Sequence, residues 1–400
     1  FLTFDRCQLK PPITTNSVRK FDPAVVAGDA KSTRIVIHPR FPQLVQDFLA
    51  HKRQHGSRFE KALYGRPDAF GWRNEVRRLV EKRPASFVGS SDSTKLRDGG
   101  TAVAGARWVD EWDRNGRERQ TENKCVTLGD YLSYDEMMLG SLLGVSGYSY
   151  FINSGDRHNR GSEGLPGTFE PRGIIIGLVG ARVEREDRMD SVHILRSSVE
   201  TPHQDPRLSK IFQDFFGAGK RQENRFDSFM YKKRIRITID ILLLEANTRA
   251  KDAGRSAHTY VVGLGLGVWK ASRHQNQYYI EEFAAALQNL SLPHIRTLEF
   301  AFIDVDRPLR DDIAAIAAAR NIKVIFSTRK PAEKLETDEL LVLSYAWDSN
   351  AFPGNEYWVG VLSASGDPAA ACMSTIGELH NPLINPFTER IHIVGSDAGI

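Results

Sequence analysis

Cysteine is scarce in this sequence, and the few cysteines lie far apart. Cys7, Cys125 and Cys372 are the three that occur in 400 residues. Disulfide-stabilised domains and CxxC-type zinc sites need cysteines at short spacings, so both classes are excluded. Cys372 follows three alanines, which is more typical of a small buried side chain than of a nucleophile.

Long apolar runs are missing as well. No segment approaches the roughly 18 apolar residues that a membrane-spanning helix requires, and Phe1 is not followed by the basic and apolar regions of a signal peptide. From these two absences we expect a cytoplasmic protein that does not bind membranes.

Basic and acidic residues nearly balance over the whole chain, but not in its first part. The chain has 54 Lys and Arg against 50 Asp and Glu, a net charge of +4. Residues 1–150 hold 24 of the basic and 18 of the acidic residues, so they carry the excess. This surplus is far too small for a nucleic-acid-binding tail, and we expect no nucleic acid as partner. An anionic ligand and an ordinary solvated surface both stay open as its explanation.

The pattern of predicted secondary structure changes near residue 131. Before it, helical spacing occurs over 41–51 and 72–82 between loop-rich segments, which predicts a helical, loop-rich N-terminal extension over 1–130. After it, a capped helix over 137–145 begins an α/β domain that we assign to 131–400. We expect that helix to end at a glycine, Gly144 or Gly147.

Strand-like and helical segments alternate beyond Gly173. Short aliphatic or β-branched runs predict strands over 174–183, 235–244, 260–269, 298–305, 323–327 and 340–347. Helical patterns lie between them, over 277–290, 310–320 and 368–379. The alternation predicts the α/β class, with a mostly parallel or mixed sheet covered by helices on both faces.

A glycine-rich loop follows the strand predicted to begin at Tyr260. It does not match the dinucleotide-binding pattern, because Val268 stands where the third glycine should be. Gly263, Gly265 and Gly267 would still let backbone N–H groups approach a phosphate, and Trp269 offers a face for an adenine or ribose. The alternative is a strand whose missing side chains allow close helix packing.

A second polar segment follows the strand over 340–347. Asp348 comes at the carboxyl end of that strand, where ligands bind in open α/β sheets. The turn beyond it supplies amides, a glycine, an acid and aromatics, at Asn350, Phe352, Gly354, Asn355, Glu356 and Tyr357. Asp338 would add a carboxylate if the chain folds back. Asp and Asn are also ordinary turn formers, and this alternative stays open.

A third segment, over 146–161, is polar and glycine-rich with aromatics at its start. It includes Asn153 and Asp156, and it would suit a loop that folds over a ligand. A plain surface connection explains the same composition.

These three segments, together with 177–182 and 367–372, resemble the MavL-type group of macrodomain ADP-ribosylhydrolases, known from a Legionella effector and its relatives. The similarity runs from about residue 131 to 387. It implies a divergent, macrodomain-like three-layer α/β/α sandwich whose loops hold ADP-ribose. It further implies removal of mono-ADP-ribose from a modified arginine, with ubiquitin as the conjugate in the best-known member. We expect a monomer. If the protein is a secreted effector, we expect it in the host cytosol.

The resemblance also implies roles for individual residues. Asp348 matches a family acid through the motif over 347–350, and Asp338 matches a second by spacing. In the chemistry of such a site, Asp338 or Glu356 would support Asp348. A further family acid has no clear counterpart, because Arg329 and Lys330 occupy its region. ADP-ribose would be bound by the glycine-rich loop and the polar turns, at Gly263, Gly265, Gly267, Val268, Trp269, Asn350, Phe352, Gly354, Asn355, Tyr357, Asn153 and Asp156.

The reaction implied is hydrolysis at the anomeric carbon of ribose, through an oxocarbenium-like transition state that a carboxylate stabilises. We expect no metal and no cofactor besides ADP-ribose as ligand and product. Two alternatives stay open: a non-catalytic ADP-ribose reader, since readers and hydrolases share the binding loops, and a phosphodiesterase or ADP-ribosyltransferase that uses the same nucleotide.

Overall fold

The computed structural model describes residues 2–10, 15–65, 68–88, 93–102, 111–196, 203–217, 225–360 and 366–396. Within these ranges it leaves the side chains of residues 87, 88, 93, 102, 356, 359 and 366–369 undescribed.

Eight strands form one mixed sheet, and three short strands form a second. The strands are β1 (Arg34–Ile37), β2 (Ser86–Val88), β3 (Ser93–Lys95), β4 (Thr101–Ala102), β5 (Leu143–Tyr150), β6 (Arg172–Leu178), β7 (Ala257–Val261), β8 (Ile295–Ala301), β9 (Lys323–Ser327), β10 (Leu340–Ala346) and β11 (Ile391–Ile393). The large sheet has the order β11-β1-β5-β6-β10-β7-β8-β9, and β2-β3-β4 form the small one. From β6 to β9 all neighbours are parallel, whereas β5 runs antiparallel to both β1 and β6.

The α-helices are α1 (Pro23–Ser32), α2 (Phe41–His55), α3 (Arg58–Tyr64), α4 (Trp72–Glu81), α5 (Glu111–Arg114), α6 (Tyr134–Gly140), α7 (Ser191–Ile194), α8 (Pro206–Phe216), α9 (Ser228–Asp252), α10 (Gln275–Asn289), α11 (Arg307–Ala318), α12 (Gly366–Met373) and α13 (Ile376–Leu379). None of the helices in the described ranges is both long and apolar enough to span a bilayer.

Helices cover the large sheet on both faces. On β5, Ser146 Oγ donates to Glu245 of α9 at 2.7 Å, whereas Ser149 Oγ lies 2.9 Å from Thr375 Oγ1 at the start of α13. Residues three apart on a strand face opposite sides, so α9 and α13 lie on different faces of the sheet. The α/β prediction with helices on both faces is confirmed.

Five of the six predicted strands overlap an observed strand, and one is wrong. The strand over 323–327 matches β9, the one over 340–347 matches β10 to within one residue, and those over 174–183 and 298–305 begin and end too late. The strand predicted over 260–269 overlaps β7 only at its first two residues, because 262–269 form the glycine-rich loop.

The run 235–244 is the interior of α9, whose apolar residues are buried against the sheet on one side and against α10 on another. A helix that is buried on nearly all sides has a continuous apolar run, as a central strand does. The run by itself therefore does not distinguish the two, and the strand prediction for 235–244 is wrong.

The helix predicted over 137–145 also ends earlier than expected. Ser133 and Glu136 form the capping box that starts α6, but the helix stops at Gly140. The residues beyond it form β5, because Leu143–Ser146 pair with Ile37–Arg34 of β1. Pairing within the sheet therefore overrides the continuation of the helix.

The N-terminal part of the chain contributes to the large sheet. Strand β1 lies between β11 and β5, so the sheet includes residues from both sides of the boundary predicted at residue 130. Helices α2 and α4 match the two helical patterns predicted in this part. The division into an extension and a domain stays a prediction.

A buried ion cluster joins α2, α3 and α6. Lys52 Nζ lies 2.6 Å from both Glu60 Oε1 and Asp135 Oδ2, and Arg117 Nη2 lies 3.2 Å from the same Asp135 oxygen. Burial disfavours the ammonium ion, but the two carboxylates outweigh it and raise the pKa of Lys52. Lys52 therefore stays charged and holds the three helices together.

We expect Lys52→Met to destabilise the protein by about 3–5 kcal/mol, because it leaves two carboxylates buried without their shared cation. Urea unfolding measures the change, with Lys61→Met on the exposed face of α3 as the matched control. A loss below about 1 kcal/mol, the range of an exposed pair, would contradict this account of the cluster.

Candidate functional site

Three neighbouring strands end at the same edge of the large sheet. Strands β6, β10 and β7 are adjacent and parallel, so Leu178, Ala346 and Val261 all mark the same edge. Two bonds tie the ends together: Trp347 N donates to Leu178 O at 2.9 Å, and Val262 N donates to Ser344 Oγ at 3.1 Å. We call the loops that follow these three strands the carboxyl-edge site. Ligands of open α/β sheets bind in this position.

Asp348 lies in the first turn after β10 and is partly buried. Its Oδ1 accepts hydrogen bonds from the backbone N–H groups of Asn350 at 2.8 Å and Ala351 at 3.1 Å, and Oδ2 accepts one from Asn355 Nδ2 at 3.0 Å. Burial raises the pKa of this carboxyl group, although the backbone donors, Arg182 and Arg83 favour the charged form.

The turn around Asp348 is held in an unusual backbone conformation. Ser349 has a φ of 65°, in the left-handed region that non-glycine residues seldom adopt, and its Oγ donates to Met137 O at 3.1 Å. Such conformations persist only when surrounding contacts enforce them, and they concentrate at functional sites. The contacts come from Trp347, whose Nε1 donates to Ala351 O at 2.9 Å, and from Arg83, 4.4 Å from the Trp347 ring.

Arg83 is a fully buried cation beneath this turn. Its Nε donates to Leu79 O at 2.6 Å, and Nη2 has no hydrogen-bond partner within the described ranges. Burial lowers the pKa of Arg83 to about 9, while Asp348 and Glu136 favour its charge. Sequence analysis did not identify Arg83, because it precedes Pro84 in a segment with no motif.

The side-chain amide of Asn350 is buried at 1% exposure, and neither of its polar atoms has a partner among the described residues. Buried amides are nearly always hydrogen-bonded in folded proteins. Among the described residues Asn350 is thus an exception, and it lies in the turn that Asp348 begins.

The glycine-rich loop after β7 packs directly on the loop after β6. A Cβ added at Gly180 would lie 2.4 Å from Gly265 N, and Gly265 itself has a φ of 73°. Gln275 Nε2 of α10 donates to Gly265 O at 3.2 Å, which fixes the loop from the other side. Beyond it Gly267 and Val268 are exposed, Val268 at 94%.

Arg182 connects the three loops. Its guanidinium carbon lies 5.7 Å from the centre of the Trp269 ring, its Nη2 donates to Glu184 Oε2 at 3.1 Å, and its charge favours ionisation of Asp348. The site thus contains a cation, an aromatic face and two carboxylates. Glu184 is a partly exposed acid that sequence analysis did not select.

Helix α9 holds the loop after β6 from below. Arg234 is fully buried; its Nε donates to Asp190 at 2.8 Å and its Nη2 to Gly180 O at 3.3 Å. Asp190 in turn accepts a hydrogen bond from the Arg182 backbone N–H at 2.7 Å. These positioning residues were missed because the residues after Arg234 were predicted to be a strand.

Three residues selected from the sequence lie elsewhere. Asp338 is exposed and precedes β10, so the strand separates it from Asp348; its backbone carbonyl accepts Arg255 Nε at 2.9 Å. The expected fold-back does not occur. Asn153 and Asp156 follow β5, whose last residue Tyr150 pairs with Arg172, the first residue of β6. They too are at the opposite edge, because β5 is antiparallel.

Two predicted contact residues are part of the core. Phe352 is 2% exposed and Tyr357 1% exposed, and the Tyr357 ring packs so closely on Gly377 that a Cβ there would lie 2.7 Å from it. Gly354, with a φ of 69°, gives the close approach to α12. Glu356 lies on a short 3-10 helix, Asn355–Val359, but its side chain is outside the described residues.

In the described part of the chain, no three His, Cys, Asp or Glu side chains come together as a metal site. The carboxyl-edge site brings together the Arg182 guanidinium, the Asn350 amide, the Trp269 ring and the backbone of the glycine-rich loop.

The chain is similar to known proteins over nearly its whole length. The family described as "ADP-ribosylhydrolase MavL-like" matches the chain over residues 8–205 and 201–400. Two relatives from Drosophila melanogaster are named ADP-ribosylarginine hydrolases: CG3568 is 37% identical over 444 residues, covering 99% of this chain and 83% of the relative. CG2909 is 32% identical over 423 residues, covering 94% and 82%.

The protein is therefore a hydrolase. It belongs to the MavL-like ADP-ribosylhydrolase family, which confirms the resemblance seen in its motifs.

The packing of the two loops predicts that a side chain at Gly180 lowers the stability of the protein, whereas one at an exposed glycine does not. Gly180→Ala should destabilise the protein by about 1–3 kcal/mol, because its Cβ meets backbone that cannot move aside. Gly28→Ala, inside α1 with nothing within 4 Å of the new Cβ, should be neutral or stabilising. Denaturant unfolding of both variants measures the difference; equal stabilities would show that the loops are not in rigid contact.

Proposed function

We propose that this protein removes mono-ADP-ribose from arginine side chains of proteins, with ADP-ribosylated ubiquitin as a substrate, and that its α/β domain is a divergent macrodomain. The observation that carries the proposal is Asp348, a partly buried carboxylate at the carboxyl end of β10, whose ionisation Arg182 favours. The names of the two Drosophila relatives support arginine as the linkage.

The chemistry assigns Asp348 its role. Cleavage of the bond between ribose and arginine develops positive charge on the ribose, which a nearby carboxylate stabilises. The three hydrogen bonds to Asp348 fix its orientation before the substrate arrives, so no reorganisation is needed during the reaction. Glu184 is the second acid of the carboxyl-edge site and would assist in positioning water or ribose hydroxyls.

The loops supply the groups that ADP-ribose requires. Its diphosphate needs backbone N–H donors and positive charge, which the glycine-rich loop and Arg182 would provide. The adenine or ribose would stack on Trp269, and the unpartnered Asn350 amide would hydrogen-bond a ring or hydroxyl group. No cofactor enters this scheme, and ADP-ribose is the ligand and the product.

One observation favours a second candidate function. All three hydrogen bonds to Asp348 come from its own loop, which is also how a purely structural aspartate behaves. A protein that binds ADP-ribose without cleaving it would need the same loop. The two functions differ in what the Asp348 charge does, so substitution of Asp348 separates them.

We expect Asp348→Asn to lower turnover of arginine-linked mono-ADP-ribosylated ubiquitin by about a hundredfold or more, since the charge acts in the transition state. Affinity for ADP-ribose should change only a few-fold. Asp338→Asn is the matched control, because the structure places Asp338 at the opposite edge, and it should keep full activity. Mass spectrometry of the released ADP-ribose and calorimetry of its binding measure the two quantities.

A charge swap distinguishes catalysis from loop structure. In Asp348→Asn alone, two amide side chains face each other, and the new Nδ2 group cannot accept the hydrogen bond that Asn355 donates to Asp348 Oδ2. Adding Asn355→Asp restores an amide–carboxylate pair with the charge moved to position 355. Stability that returns while turnover stays lost supports the hydrolase; turnover that returns with stability would show that Asp348 acts only through the loop.

The raised pKa of Asp348 predicts an acid limit to activity. An ordinary aspartate has a pKa of about 3.9, and the burial of Asp348 moves its value upward. The ionised form is the active one, so kcat/KM should fall as pH decreases through this raised value, at a higher pH than an ordinary aspartate would give. A pH profile of kcat/KM that stays flat down to the pKa of an ordinary aspartate, in a protein still folded there, would contradict the assignment.

A further inference from the structure

A large cleft lies at the other end of the sheet, between α4 and the edge formed by β1 and β11. Its volume is about 540 Å³, within the range of small-molecule sites. Three strand spacings, about 14 Å, separate β1 from β10, so this cleft is distinct from the carboxyl-edge site.

The cleft is lined by cations. Six Lys or Arg side chains line it, and none of its lining residues in the described part of the chain is Asp or Glu. The six are Lys31, Arg34, Arg73, Arg77, Arg249 and Arg390.

The floor of the cleft is built and buried. Arg34 Nη2 lies 2.8 Å from Glu245 Oε2, and Arg249 Nε lies 2.7 Å from Glu245 Oε1. Burial opposes ionisation of Glu245, but the two arginines outweigh it and hold its pKa at about 2. The single carboxylate of Glu245 thus pairs with the guanidinium groups of both Arg34 and Arg249, which leaves the floor of the cleft with a net charge of one positive unit.

The other four lining cations are exposed, form the rim of the cleft and have no carboxylate within 4.0 Å among the described residues; they are Lys31, Arg73, Arg77 and Arg390. Arg77 Nε donates to Glu389 O at 3.4 Å and Arg390 Nη1 to Lys31 O at 2.5 Å, which are backbone carbonyls and leave the charges uncompensated. Arg73 lies 4.3 Å from the ring of Trp72, another lining residue. Four uncompensated cations around one concavity repel each other unless an anion binds between them.

We propose that this cleft binds a small ligand with several phosphate groups, of the nucleoside triphosphate or inositol polyphosphate class. Clustered phosphates match four cations around one cavity that have no carboxylate partner, and the guanidinium groups among them suit bidentate contacts to phosphate. The concave shape favours a compact ligand over a nucleic acid, which needs an extended basic surface. The positive excess of residues 1–150 is partly explained here, since Lys31, Arg34, Arg73 and Arg77 all belong to that segment.

The test is titration calorimetry of ATP and of inositol hexakisphosphate into the full chain, with ADP-ribose at saturation to keep the carboxyl-edge site occupied. We expect one site for at least one ligand, weakened about tenfold or more by Arg73→Glu with Arg77→Glu. Both side chains are exposed, so the variant should fold and keep its hydrolase activity. Arg307→Glu with Lys323→Glu, an equal charge reversal at exposed positions elsewhere, should change affinity less than twofold.

The ligand that binds more tightly identifies the source of the phosphates. Absence of binding by both ligands overturns the proposal, as does equal weakening by the two charge reversals, which would show a general surface effect. Hydrolase activity is measured separately on the same variants, so failure of the cleft proposal and failure of the proposed function are told apart.

Discussion

The arrangement of the candidate site depends on one backbone contact, between Gly180 after β6 and the Leu264–Gly265 peptide after β7. Any side chain at Gly180 would occupy the space that this peptide fills. Because the backbones of the two loops are in contact at Gly180, Arg182 and Trp269 come within cation–π distance of each other. The contact therefore sets where a cation and an aromatic ring lie relative to Asp348, which follows β10, the strand between β6 and β7.

Buried charge supports this contact from underneath. Arg234 bonds both to Asp190 and to the carbonyl of Gly180, and Arg83 lies under the Asp348 turn against Trp347. A buried cation is costly unless carboxylates or carbonyls surround it, so each of these arginines orders the groups around it. The site is consequently positioned by side chains that a ligand at the edge would not touch.

Sequence patterns identified Asp348 and the glycine-rich loop because both follow apolar strands that stop at polar turns. The same strand prediction should have excluded Asp338, since seven residues of β10 extend about 23 Å and separate its two ends. Because the apolar run predicts a strand over 235–244, it does not indicate that Arg234 bonds to the loop after β6. A signal was present in the polar residues: Arg234 and Thr238, like Glu245 and Arg249, are four apart, which is helical spacing.

Asn153 and Asp156 show a different limit. Their position depends on the direction of β5, and nothing within 146–161 indicates whether that strand runs parallel or antiparallel to β6. Direction is decided by partners far away in the chain, since β5 pairs with β1 on one side and β6 on the other. Which edge a loop occupies, and so which polar residues can share a site, is a property of the whole sheet. Motifs that depend on a single strand end can be found from the sequence, whereas the grouping of several strand ends needs the topology.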